Sequence, residues 1–164
     1  MIATEYARNQ VEGALDFLNT CVQGMDEAQY NWKPSGTCNP VCKLHAHALA
    51  SVDFFITLVL QGQKTSWPQI ASKVGLPANI REIWQSDATI SPSAMEEYAN
   101  SLRKSVISYI NTLSDEDLSR EIDTRFAGTQ TVGWVLQLVG LHTAGHTGEI
   151  SAVKGMQGLK GLPF

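Results

Sequence analysis

Apolar residues return at three- and four-residue steps through most of this chain, the period of helices that bury one face. In the first such run, Ala3 to Met25, the stripe is Val11, Ala14, Leu15, Leu18, Val22 and Met25, with Glu12, Asp16 and Asn19 between. Gly24 loosens its end, and Asp26 to Lys33 reads as a short helical turn before a loop that closes at Asn39-Pro40. Asn39 as cap and Pro40 at the first helical position then open a second helix, because proline has no N–H to lose there. Nothing interrupts this helix before Gly62. Its stripe is Val41, Leu44, Ala48, Val52, Phe55 and Val59, and from Phe54 to Leu60 it is apolar nearly all round, which predicts deep burial or a subunit contact.

Residues 61–90 carry Gly62, Pro68, Gly75 and Pro77 around two short apolar pieces, Gln69 to Val74 and Ile80 to Trp84, and read as a long crossover with short helices. Ser91-Pro92 opens a third helix reaching Ser114, with Met95, Tyr98, Leu102, Val106, Tyr109, Ile110 and Leu113 on one face. Asp115 to Leu118 makes a turn, Arg120 to Thr131 has room for an extended piece, and a fourth helix runs from Thr131 to Gly155 before a glycine-rich tail. Four helices of about twenty residues, ~30 Å each, suit a four-helix bundle. The long second connection favours a crossover bundle over a simple up-down one. The expectation is one all-α domain over residues 1–164.

Composition narrows the partners. A chain of 164 residues that is 43% hydrophobic can bury a core without disulfides. The net charge is -4 and the 12 Lys and Arg are scattered, so no basic stripe exists to neutralise phosphates, and neither nucleic acid nor an anionic membrane is expected. Charges stand where a secretory signal needs an apolar run, and no segment reads as the ~18-residue apolar run of a membrane span. Cys21, Cys38 and Cys42 are odd in number, which suits reduced thiols in the cytoplasm better than a disulfide framework.

The candidate chemistry lies in the four histidines. His142 and His146 share one face of a helix, one turn apart, within about sixty degrees of Val135, Leu138, Val139, Glu149 and Val153. Burying two polar rings without partners costs ~1 to 3 kcal/mol each, so the pair points to a divalent ion more than to two ordinary core histidines. The second helix can supply a third ring. His45 and His47 lie about 200° apart on opposite shoulders of its stripe, so one should face the core, and the wheel does not choose between them. Three imidazoles leave a position open for water or substrate, the arrangement of a catalytic site, and suit zinc, nickel or iron. Glu149 could complete the coordination, orient a ligand ring, or accept a proton from bound water. Asp53, off the face of His47, reads as structural. Two other metal patterns fail: no glutamate follows His142 as a zincin requires, and Cys38-x3-Cys42-x2-His45 is broken by proline with no second half.

In chain order, Trp32-Lys-Pro34, Asn39-Pro-Val-Cys-Lys-Leu-His-Ala-His47, His142-x3-His146-Thr-Gly-Glu-Ile150, Gly155 and Gly158-Leu-Lys-Gly-Leu-Pro163 resemble the motifs of the DinB-like superfamily, the DinB/YfiT group of metalloenzymes. The resemblance implies a four-helix bundle with a left-handed crossover, usually a homodimer, holding a divalent metal, often zinc or nickel. It selects His47 over His45 and adds His142 and His146 as the other ligands. The family commonly has Gln where Glu149 stands, which implies a supporting carboxylate, and its usual acidic residue after the first histidine falls one place earlier than Asp53. Some members are S-transferases or isomerases that use low-molecular-weight thiols. The expectation is therefore a metal-dependent thiol transferase or hydrolase acting on a small molecule that enters between the crossover and the turn holding Trp32. The rivals are a non-catalytic metal-binding or stress-associated bundle dimer, and a metal-free dimer.

Overall fold

The computed structural model describes residues 2–162. Met1, Pro163 and Phe164 lie outside the described residues, and with them the ends of the expected domain and the last residue of the C-terminal motif. The element order is α1 (Ala3–Val22), α2 (Glu27–Asn31), α3 (Val41–Asp53) running directly into a π-helical segment (Phe54–Leu60), α4 (Trp67–Val74), a 3-10 turn (Ile80–Gln85), α5 (Pro92–Ile110), a second 3-10 turn (Asp117–Ser119), a hairpin of β1 (Glu121–Asp123) and β2 (Thr129–Thr131), and α6 (Val132–Met156). The long helices α1, α3, α5 and α6 form the bundle: α1 packs along α6, α3 lies against α6, and α5 closes on α1 and α3. The chain is all-α apart from the small hairpin, and the crossover falls between α3 and α5, as the connection length predicts.

Local chemistry sets the boundaries. Helix α1 stops at Val22, short of Met25, because Gly24 takes a left-handed φ of 76°. Asp26 and Gln29 then cap α2 reciprocally, each side chain accepting from the other's backbone N–H at 2.8 and 3.2 Å. Pro40 is the cap of α3 and not its first helical residue, since its ψ of 153° keeps it extended, and Asn39 takes no capping part. Helix α5 starts on the Ser91 cap as expected and ends at Ile110, where tight turns at Thr112 and Leu113 replace the last expected helical residues. Thr131 Oγ1 accepts from Trp134 N at 3.1 Å and starts α6.

Helix α3 is the axis of the molecule: every residue in it except His47 is buried. The 20-residue stretch Val41–Leu60 has a mean hydropathy of 1.3, enough for a membrane span by length and composition, yet 67% of its apolar window is buried inside the bundle. Its apolar surface is spent on the core. The π segment changes which residues face that core, because each of its turns takes an extra residue. Ile56 and Leu60 are buried, while the expected stripe residues Phe55 and Val59 are half-buried.

Asp53 ties this axis to the crossover. Its Oδ2, in a residue 1% exposed, accepts from Ser66 N (2.8 Å), Ser66 Oγ (3.0 Å), Trp67 N (2.9 Å) and the Tyr98 hydroxyl (2.9 Å). A buried carboxylate needs such donors, and here they come from the start of α4 and from α5. Asp53 is structural, as its position off the His47 face suggests.

Candidate metal centre

Helix α6 presents His142 and His146 on the shoulder of its buried face. The centre of that face is Val139, Thr143, Thr147, Ile150 and Val153, and both histidines are half-buried. This corrects the expectation that the rings lie mid-stripe and deep inside. The face is rotated because Thr143 and Thr147 can enter the core, where Thr147 Oγ1 donates to the Thr143 carbonyl at 2.9 Å.

The two Nε2 atoms stand 3.3 Å apart. Glu149 Oε2 lies 2.6 Å from His146 Nδ1. A carboxylate accepts, so Nδ1 carries the proton and the lone pair of His146 is left on Nε2, facing His142. From α3, His47 comes against both rings, its centroid 5.4 Å from that of His142 and 4.9 Å from that of His146. One nitrogen from each of the three residues lies within 4.8 Å of the others.

Burial, with the neighbouring imidazoles adding to it, lowers His47 to about 4. Burial and then His146 lower His142 to about 4, against a smaller opposing effect of Glu149. Both rings are neutral at physiological pH, the form that coordinates a metal. The donor set fits a divalent ion: two imidazole nitrogens on a tetrahedral ion at ~2.0–2.1 Å stand ~3.3 Å apart, close to the separation found between His142 and His146. His142 Nδ1 is meanwhile buried without a partner.

His45, two residues from His47, goes elsewhere. It is 2% exposed, and its Nδ1 meets the Tyr30 hydroxyl at 2.8 Å. The expectation that one histidine of this helix would face away from the core is therefore wrong. Because α3 is enclosed on all sides, both shoulders are covered, one by α6 and the other by the Tyr30 side. Cys38, Cys42 and His45 form no metal-holding group among the described residues. The three cysteines are free, and burial pushes the Cys42 thiol up to about 11.

The walls of the cluster are aromatic. Trp84, from the 3-10 turn of the crossover, stacks at a tilt on His47 with centroids 4.4 Å apart. Phe55 stands edge-on to His142 at 5.8 Å, and Phe126, carried by the hairpin loop, lies 5.4 Å from Phe55 and is 43% exposed. The sequence offers Trp84 only as one of several tryptophans, and Phe55 and Phe126 have no sequence signal as site residues because the π segment and the hairpin place them. The entrance expected between the crossover and the Trp32 turn is bridged: Asn31 and Ile90 exchange hydrogen bonds at 2.9 and 2.8 Å, and Lys33 pairs with Asp87 at 3.0 Å.

An all-α bundle with three histidines converging from two core helices defines a class of helical proteins able to hold a divalent metal ion. Within that class the chain belongs to the DinB superfamily, whose profile matches residues 10–150. Solved structures share the fold over nearly its whole length. A conserved protein from Enterococcus faecalis is similar at a TM-score of 0.77 and 18% identity, covering 94% of this chain and 96% of its own. A DinB-like protein from Bacillus subtilis gives 0.69 and 20%, covering 97% and 96%, and the sibling lethal factor precursor DfsB gives 0.66 and 15%, covering 95% and 97%. No curated protein matches the sequence.

Proposed function

We propose that this chain is a metal-dependent enzyme acting on a small molecule, with His47, His142 and His146 as the ligands of one zinc or nickel ion, iron being the next fit. The observation that carries this reading is the meeting of three ring nitrogens within 4.8 Å from helices far apart in sequence. When bound, such an ion supplies Lewis acidity that brings the pKa of a thiol or water ligand towards neutrality. The protein's own part is positional. Glu149 fixes the tautomer of His146, the neutral rings of His47 and His142 offer lone pairs without first losing a proton, and three ligands leave the coordination open. Trp84 and Phe55 shield two sides from water, and the half-buried α6 side, where Glu149 is exposed, is the approach for substrate.

Transfer to or from a low-molecular-weight thiol and hydrolysis both use this arrangement. Elemental analysis of protein purified without added metal is expected to give one ion per chain and none in His146→Ala; unchanged metal in that variant overturns the reading. Screening low-molecular-weight thiols against electrophiles, beside ester and amide hydrolysis, then separates transferase from hydrolase.

Three unpaired thiols support a reducing, cytoplasmic setting. A homodimer is also part of the proposal. Tyr6 and Leu141 protrude at 58% and 69% exposure beside an apolar groove of ≈ 930 Å³ between α1 and α6 that includes Gly133 and Gly140. Knob and groove on one face are what a two-fold interface needs. Leu141→Glu is expected to sediment as a monomer where the unmodified chain sediments as a dimer.

A further inference from the structure

We propose that Lys43 is a positioning residue for the histidine cluster: its ammonium clamps the crossover so that the Trp84 indole stays seated on His47. The proposal rests on the reading of His47 as a metal ligand, and the clamp holds that ring in the orientation the ion needs.

Helix α3 is the buried axis of the bundle, and Lys43 and Asp53 are the two residues in it with charged side chains. Asp53 is met by four donors, but Lys43, 9% exposed, makes no ion pair among the described residues. A buried ammonium needs an acceptor. Lys43 Nζ donates to the backbone carbonyl of Trp84 at 2.9 Å, across 41 residues of sequence. The other cross-link close by, Lys33 with Asp87, joins two mostly exposed side chains and holds little in water.

Lys43 and His47 stand one turn apart on the same face of α3, and Trp84 meets both. Its carbonyl takes the ammonium, and its indole lies 4.4 Å from the His47 ring and 6.3 Å from that of His146, centroid to centroid. Ile83, fully buried, plugs the 3-10 turn into the core and sets its depth. A single plug leaves the turn free to rotate about it. The Lys43 bond is the second point of attachment, and because it is made to the Trp84 backbone it fixes the direction in which the indole leaves the chain. Without it the half-buried indole can swing out to water, and His47 loses the wall on one side of its ring.

The test is indole 1H–15N spectroscopy of the metal-free full chain, with the Trp84 signal assigned from Trp84→Phe, in the unmodified protein and in Lys43→Met. Methionine keeps an unbranched stem and removes the donor. The expected result is a shifted Trp84 signal with a lowered heteronuclear NOE, the mark of fast ring motion, while Trp67 and Trp134 stay as they were. An unchanged Trp84, or changes spread equally over the other tryptophans, overturns the proposal. Zinc affinity, read by competition with a chelator, is expected to fall about tenfold in Lys43→Met, the scale of losing a group that orients a ligand ring. In a Trp84→Ala background the same substitution should change it by less than about twofold, since Lys43 acts through Trp84; a second tenfold loss there overturns the clamp. If the unmodified chain binds no zinc, the metal reading falls, and the indole measurement still decides whether Lys43 holds Trp84.

Discussion

Two histidines two residues apart on one helix meet different fates because the helix turns them about 200° from each other. His47 joins the α6 pair, and His45 is sealed against Tyr30. Burial holds His45 near 4, against 6.5 for an exposed histidine. The unfolded chain therefore binds a proton more readily than the folded one. This contribution to stability is intact above pH 6.5 and is lost as pH falls through the window down to 4, by about 3 kcal/mol for His45 alone. Denaturant unfolding of the metal-free protein at pH 7 and pH 4.5 should show that loss, and a flat profile would contradict the burial of His45. Tyr30→Phe leaves Nδ1 unpaired in the core and should cost ~1–3 kcal/mol in the same assay at pH 7. At the other histidine cluster, Glu149→Ala is expected to weaken metal binding ~10-fold or more, measured by competition with a chelator, since the acceptor that holds His146 Nδ1 is lost.

Helix α3 and its continuation decide where the site lies and how stable its surroundings are. Removing the Asp53 carboxylate strands four donors from the crossover and α5, so Asp53→Ala should cost about 3 kcal/mol or more. Hydrogen exchange should speed up first at Ser66 and Trp67; uniform loosening across the bundle would count against a local tie. The four long helices were legible because their stripes hold the 3.6 period over several turns, as in Val11 to Leu18 and Met95 to Val106. After Phe54 the period itself changes, so the wheel that places Val52 in the core misplaces Phe55 and Val59. The buried face of α6 was misread by one step, because Thr143 and Thr147 look polar in sequence while one of them satisfies its hydroxyl on the helix's own backbone. The pairing of His142 with His146 does not depend on either error, since their i, i+4 spacing is independent of which neighbour faces the core.

At the scale of the molecule, the fold gathers side chains from segments no local pattern links: His47 from α3, His142 and His146 from α6, Trp84 from the crossover and Phe126 from the hairpin. Folding therefore builds the three-histidine cluster, and if an ion binds there it is expected to stabilise the whole bundle, by about 2.7 kcal/mol at a free metal concentration 100 times Kd. The most direct measurement is X-ray absorption fine structure on the metal-loaded protein. The account predicts three imidazole nitrogens at ~2.0–2.1 Å from the ion, with oxygen or sulfur completing the shell, and a fall to two imidazoles in His47→Ala. A shell with the same imidazole count in that variant, or one dominated by sulfur from the cysteines, would contradict it.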